Sequence, residues 1–186
     1  MKIRRADLEG VLLIEPEIYR DDRGYFLETW REEYFQGSDI SPPVSGRFVQ
    51  ENFSWSRQGV IRGLHYQTGD AVQQKLVRVT HGRILDVVVD IRKGSSTFGQ
   101  HLTVELDDKD HHMILVPAGF AHGFSVLSAE AGISYLCSAY YNPSMERGIR
   151  WSDPELDIDW KVSDPLVSEK DQNQPLLSEL ADGDLL

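Results

Sequence analysis

Between residues 59 and 141 the chain is cut by glycines into short apolar runs, a spacing that favours β-strands over helices. Gly59, Gly69, Gly82, Gly94 and Gly99 stand at short intervals, and the segments between them are rich in Val, Ile and Leu. The run Arg83-Ile84-Leu85-Asp86-Val87-Val88-Val89-Asp90-Ile91 is too short and too β-branched for a helix and reads as a largely buried strand. Residues 102–106, 113–116 and 133–141 read the same way. Pro117-Ala118-Gly119, between two apolar runs, predicts a turn joining neighbouring strands. Helix is scarce: residues 28–35 are a candidate short helix, and the tail after Asp164 has room for a turn or two.

Many short strands without βαβ alternation predict an all-β sandwich or barrel with a few short helices, wrapped as a jelly roll around a ligand cavity. The 186 residues suit one domain spanning 1–186, with no repeat or low-complexity segment. Edge strands in such a sandwich need cover, so a homodimer is expected. Thirty acidic against 19 basic residues give a net charge of -11, which disfavours nucleic acid and anionic membrane surfaces as partners. A small anionic substrate then requires a local cluster of Arg and Lys. Cys137 is the only cysteine, the first ten residues are charged and no apolar stretch is long enough to span a bilayer, so a cytoplasmic location is expected.

Polar chemistry concentrates in three places. The first runs from Arg62-Gly63-Leu64-His65-Tyr66-Gln67 to Gln73-Gln74-Lys75-Leu76-Val77-Arg78. Strand alternation puts Gly63 and His65 on one face, with Gly63 leaving space for a ligand, and puts Lys75, Val77 and Val79 together on the next strand, so that His65 and Lys75 can converge. The second is Pro117-Ala118-Gly119-Phe120-Ala121-His122-Gly123-Phe124, where a turn delivers His122 to the start of a strand. A lone histidine there would read as structural, but two in similar glycine-bounded strands favour function. The third is Tyr135-Leu136-Cys137-Ser138-Ala139-Tyr140-Tyr141. Tyr135 and Cys137 share a face, and Cys137 reads as a small buried hydrophobe rather than a nucleophile.

With these residues in place, the chain resembles the dTDP-4-dehydrorhamnose 3,5-epimerases, which are cupin jelly rolls. The resemblance starts at Asp22-Arg23-Gly24-Tyr25-Phe26-Leu27-Glu28 and passes through the first two clusters. It continues through Glu146-Arg147-Gly148-Ile149-Arg150-Trp151 to Leu166-Val167-Ser168-Glu169-Lys170-Asp171. It implies epimerisation at C3 and C5 of dTDP-4-dehydro-6-deoxy-D-glucose, without cofactor or metal. By the same resemblance His65 is the general base, Asp171 its orienting carboxylate, Tyr135 the opposing acid and Lys75 the stabiliser of the enolate. It further implies that Arg23 and Arg62 bind the diphosphate and that Glu28, Gln50, Asn52, His122, Glu146 and Lys170 contact substrate. Phe53, Leu136 and Ala139 depart from the family pattern, which has histidine, lysine and an acidic residue there.

Three alternatives remain at this stage. A sibling epimerase or ketoisomerase would use much of the same machinery. A metal-dependent cupin usually has a second histidine where this chain has Gln67. A non-catalytic sugar-nucleotide binding module would need the arginines but no matched base and acid.

Overall fold

The computed structural model describes residues 1–35 and 47–186. In chain order the strands are β1 (Lys2–Arg5), β2 (Leu12–Glu15), β3 (Ile18–Asp21), β4 (Gly24–Leu27), β5 (Gln50–Arg57), β6 (Val60–Gln67) and β7 (Lys75–His81). They continue as β8 (Arg83–Asp90), β9 (His101–Asp107), β10 (Met113–Val116), β11 (Phe120–Val126), β12 (Glu130–Cys137), β13 (Glu146–Gly148) and β14 (Leu166–Val167), and the helix α1 spans Glu169–Gln172.

Two sheets carry the fold. One has the order β1-β2-β10-β7-β12-β5, and the other β13-β6-β11-β8-β9 with β14 added beside β6. A separate hairpin joins β3 and β4. The alternation along β8 shows why that run carries no polar face. Ile84 and Val88 enter one apolar core with Val77, Val79, Ile114, Phe124 and Ile133, between the sheets. Leu85, Val87 and Val89 enter a second core, closed by Ile149, Leu156 and Trp160 from the C-terminal third. Both faces are therefore covered, and each fully buried aliphatic side chain contributes about 1.5–3 kcal/mol.

Three expectations change in detail. The helix expected over residues 28–35 contracts to a single 3-10 turn at Glu32–Phe35. Trp30 and Phe35, stacked 4.7 Å apart, belong with Leu12, Ile14, Leu76 and Met113 to a third core on the outside of the first sheet, a packing role that needs no long helix. The strand expected over residues 133–141 begins earlier, at Glu130, and stops at Cys137. Beyond it, Gln73 donates to the Ala139 carbonyl and the Tyr141 amide donates to Gln50, so side chains take over the backbone hydrogen bonding of the sheet. Pro117-Ala118-Gly119 does turn the chain, but it carries it from β10 in one sheet to β11 in the other. The tail after Asp164 holds α1 and a 3-10 turn at Leu177–Glu179.

Candidate active site

The base-bearing strand is irregular where the chemistry begins. Along β6 and β11, His65 pairs with His122 but Arg62 pairs with Phe124, so three steps on one strand oppose two on the other. This bulge turns both Arg62 and His65 into the same cleft, although strict alternation would put them on opposite faces. Gly63 makes the bulge possible. Its φ is +131°, and a Cβ there would lie 2.6 Å from the Cα of Gly123 on β11. The expectation that Gly63 leaves space for a ligand is thus corrected: the neighbouring backbone occupies that space.

The cleft between the sheets has a volume of about 610 Å³, and its walls include His65, Lys75, His122, Tyr135 and Asp171. A second lobe of about 350 Å³ meets it at His65, Lys75 and Tyr135, and adds Gln50, Asn52, Tyr141 and Glu146. The strands explain the convergence: Tyr135 lies opposite both Asn52 of β5 and Val77 of β7, two residues along from Lys75 on the same face.

His65 Nε2 lies 2.6 Å from Asp171 Oδ1. Asp171 is delivered by α1, whose N-cap Ser168 accepts from the Asp171 amide, and its second oxygen accepts from the Gly63 amide at 3.3 Å. Burial alone would raise the Asp171 pKa, but the hydrogen bond and charge of His65 outweigh it and hold the carboxyl below its usual range. At the other wall His122 Nε2 meets Asp86 Oδ2 at 2.9 Å.

Lys75 and Tyr135 are shifted by the same cause in opposite directions. Burial pushes the Lys75 ammonium pKa down, against the pull of Cys137, Asp86 and Glu146. Burial pushes the Tyr135 phenol up, so it stays protonated at neutral pH. Cys137, fully buried beside them, also has its pKa raised by desolvation, which keeps it a thiol. At the mouth Glu146 Oε2 accepts from Tyr141 at 2.8 Å and from Lys170 Nζ at 2.6 Å. Burial works to raise the Glu146 pKa, but these two partners bring it below its usual value. Arg62 donates to Ser56 Oγ at 3.0 Å and otherwise faces the cleft.

Two of the expected substrate residues lie elsewhere. Arg23 sits at the tip of the β3–β4 hairpin with 90% of its side chain exposed, bonded to Asp21. Glu28 follows the hairpin and pairs with Arg31 at 2.5 Å. Neither lines the cleft of its own chain. Conversely, Asp86, Ser168 and Tyr141, for which the sequence implies no site role, bond directly to His122, Asp171 and Glu146. A carboxylate inside the apolar run Ile84-Leu85-Asp86-Val87-Val88 was the available signal, because a charge in a doubly buried strand requires a partner. Gln67, which stands where metal-dependent cupins place a second histidine, instead clamps Asn142 through two hydrogen bonds. Among the described residues no group of three or more His, Cys, Asp or Glu is arranged to hold a metal ion.

A jelly-roll sandwich whose cleft joins a histidine–carboxylate pair, an ammonium and a protonated phenol defines a cupin-type isomerase built for proton transfer at carbon. Residues 5–179 match the family model described as dTDP-4-dehydrorhamnose 3,5-epimerase, and the chain belongs to that family. It is 48% identical to the dTDP-4-dehydrorhamnose 3,5-epimerase of Pseudomonas aeruginosa, over 92% of this chain and 93% of that one. It is 40% identical to the dTDP-4-dehydrorhamnose 3-epimerase of Streptomyces niveus, over 100% and 88%. Among solved structures it superposes with a TM-score of 0.93 and 42% identity on the dTDP-6-deoxy-D-glucose-3,5-epimerase of Legionella pneumophila in complex with dTDP-4-keto-L-rhamnose, covering 99% and 96% of the two chains.

Proposed function

We propose that this protein epimerises C3 and C5 of dTDP-4-dehydro-6-deoxy-D-glucose, giving dTDP-4-dehydro-L-rhamnose. The observation that carries the reading is the meeting of His65, Lys75 and Tyr135 at the junction of the two cleft lobes. With Nε2–H bonded to Asp171, His65 turns Nδ1 to the cleft and takes the proton from a carbon beside the ketone. The electron pair of that C–H bond moves into the ring and charge accumulates on the ketone oxygen, where the Lys75 ammonium offsets it. Tyr135 returns a proton to the opposite face, which inverts the centre, and solvent resets both groups. Arg62 and Lys170 supply the cations that an anionic diphosphate requires, and Gln50, Asn52, His122 and Glu146 line the path of the substrate.

The working unit in this reading is a homodimer in which the hairpin of one chain reaches the cleft of the other. What supports it is the exposure of Tyr19, Tyr25 and Phe26 on the hairpin that carries Arg23. Arg23 and Glu28 would then serve the partner's diphosphate. The direct test is conversion of dTDP-4-keto-6-deoxyglucose followed by proton NMR. Ring couplings that change to those of the L-rhamno sugar support the proposal, and a sugar of unchanged configuration contradicts it. Inversion at C3 alone is the second reading, favoured by the identity with the Streptomyces niveus enzyme.

A further inference from the structure

Asp86 has no part in the steps above, yet its side chain has no exposed surface. It sits on β8 between Ile84 and Val88, on the strand face that looks into the sandwich. A carboxylate taken out of water there needs donors or cations to offset its lost hydration. One oxygen, Oδ2, has His122 Nε2 at 2.9 Å. No protein donor among the described residues meets the other, Oδ1.

Across the sandwich, Lys75 shares its strand face with the core residues Val77 and Val79. The other groups around the Lys75 ammonium come from four further strands. His65 on β6, His122 on β11 and Tyr135 on β12 line the same cleft, while Cys137 on β12 and Glu146 on β13 act on it electrostatically. Tyr135 and Cys137 are held neutral by burial, and Glu146 is already engaged by Lys170 and Tyr141. Asp171 belongs to His65 and the Gly63 amide. Asp86 is the carboxylate in this group with a fully buried oxygen that no protein donor among the described residues meets.

We propose that Asp86 is a positioning residue for the reaction: from beneath the cleft floor it holds the His122 ring by Nε2 and supplies the counter-charge that Lys75 faces. The inference rests on the epimerase reading of the site. It explains how an ammonium survives in a desolvated cleft long enough to receive the enolate charge.

The test is the pH dependence of Lys75 acetylation by acetic anhydride in the full-length protein, read by peptide mass spectrometry, which reports the Lys75 proton without requiring turnover. Asp86→Asn should move the Lys75 midpoint to lower pH by about one unit, the usual size of a lost nearby opposite charge. Its kcat on dTDP-4-keto-6-deoxyglucose should fall roughly 10–100-fold, with KM changing far less. Asp86→Glu keeps the charge and should leave the midpoint at its wild-type value, whatever it does to kcat. An unmoved Lys75 midpoint in Asp86→Asn overturns the proposal, as does Asp86→Glu moving it equally far. Wild-type protein inert toward the sugar nucleotide would instead count against the epimerase reading, while the labelling midpoints still decide the role of Asp86.

Discussion

His65 and Asp171 lie 106 positions apart in the chain, yet Nε2 of one and Oδ1 of the other approach to 2.6 Å. The contact is made by a short helix whose only buried residue is Asp171, docked under the bulge of β6. It fixes which ring nitrogen carries the proton and so which one faces the cleft. Asp171→Asn removes the charge that stabilises the imidazolium formed when the proton arrives, and kcat should fall by roughly 10²-fold or more with the fold retained. Because the Asp171 carboxyl is held below its usual range, it stays ionised at neutral pH and should give no acid limb of its own there. A titration with a limb that disappears in Asp171→Asn would contradict this.

Tyr135→Phe separates the two proton transfers. The phenol stays protonated at neutral pH and lines both lobes beside His65. Without it, abstraction and return on the His65 side should persist, so solvent exchange continues while inverted product drops by about 10²-fold or more. Unchanged product formation measured by NMR rules out the acid role.

Lys75 should cost stability in exchange for function. Its folded pKa is depressed by burial, so between that value and the unfolded value near 10.4 the unfolded chain binds more protons, and stability rises with pH across this window. Below the window the full cost of charging the buried amine is present. Lys75→Met removes it and should raise Tm at pH 7 by about 2–4 °C per kcal/mol recovered, while abolishing activity. Calorimetry across pH checks both parts, since the gain over wild type should shrink as pH approaches 10.

Arg23 provides a complementation test of the proposed shared site. Being exposed at the hairpin tip and absent from its own cleft, it should serve the neighbouring subunit. Arg23→Ala and His65→Asn homodimers should each be nearly inactive. Mixed and allowed to exchange subunits, they should regain up to about a quarter of wild-type activity, because half of the dimers are hybrids with one intact site of two. No recovery despite confirmed exchange contradicts the arrangement.

The sequence made the strands legible because β-branched runs ended by glycine have few other ways to fold, and Met113–Val116 appears as read. Residues 28–35 misled because their aromatic residues serve packing over a sheet rather than helical periodicity. The shared orientation of Arg62 and His65 was hidden because it depends on a bulge, and a bulge breaks the period of two on which face assignments rest. Asp86 was hidden for a related reason: its partner His122 comes from another strand, and only the pairing of β8 with β11 brings them together. The cluster around His65 and Lys75, by contrast, was visible as density of polar residues on consecutive strands.

In the proposed reaction the His65 ring takes a proton from carbon next to a ketone. This step is tested most directly by incubating wild type and His65→Asn with dTDP-4-keto-6-deoxyglucose in heavy water and following deuterium by NMR. Wild type should place deuterium at C3 and C5, and His65→Asn should place it at neither at a comparable rate. Deuterium entering the variant as fast as the wild type, or entering neither carbon with the wild type, would contradict the account.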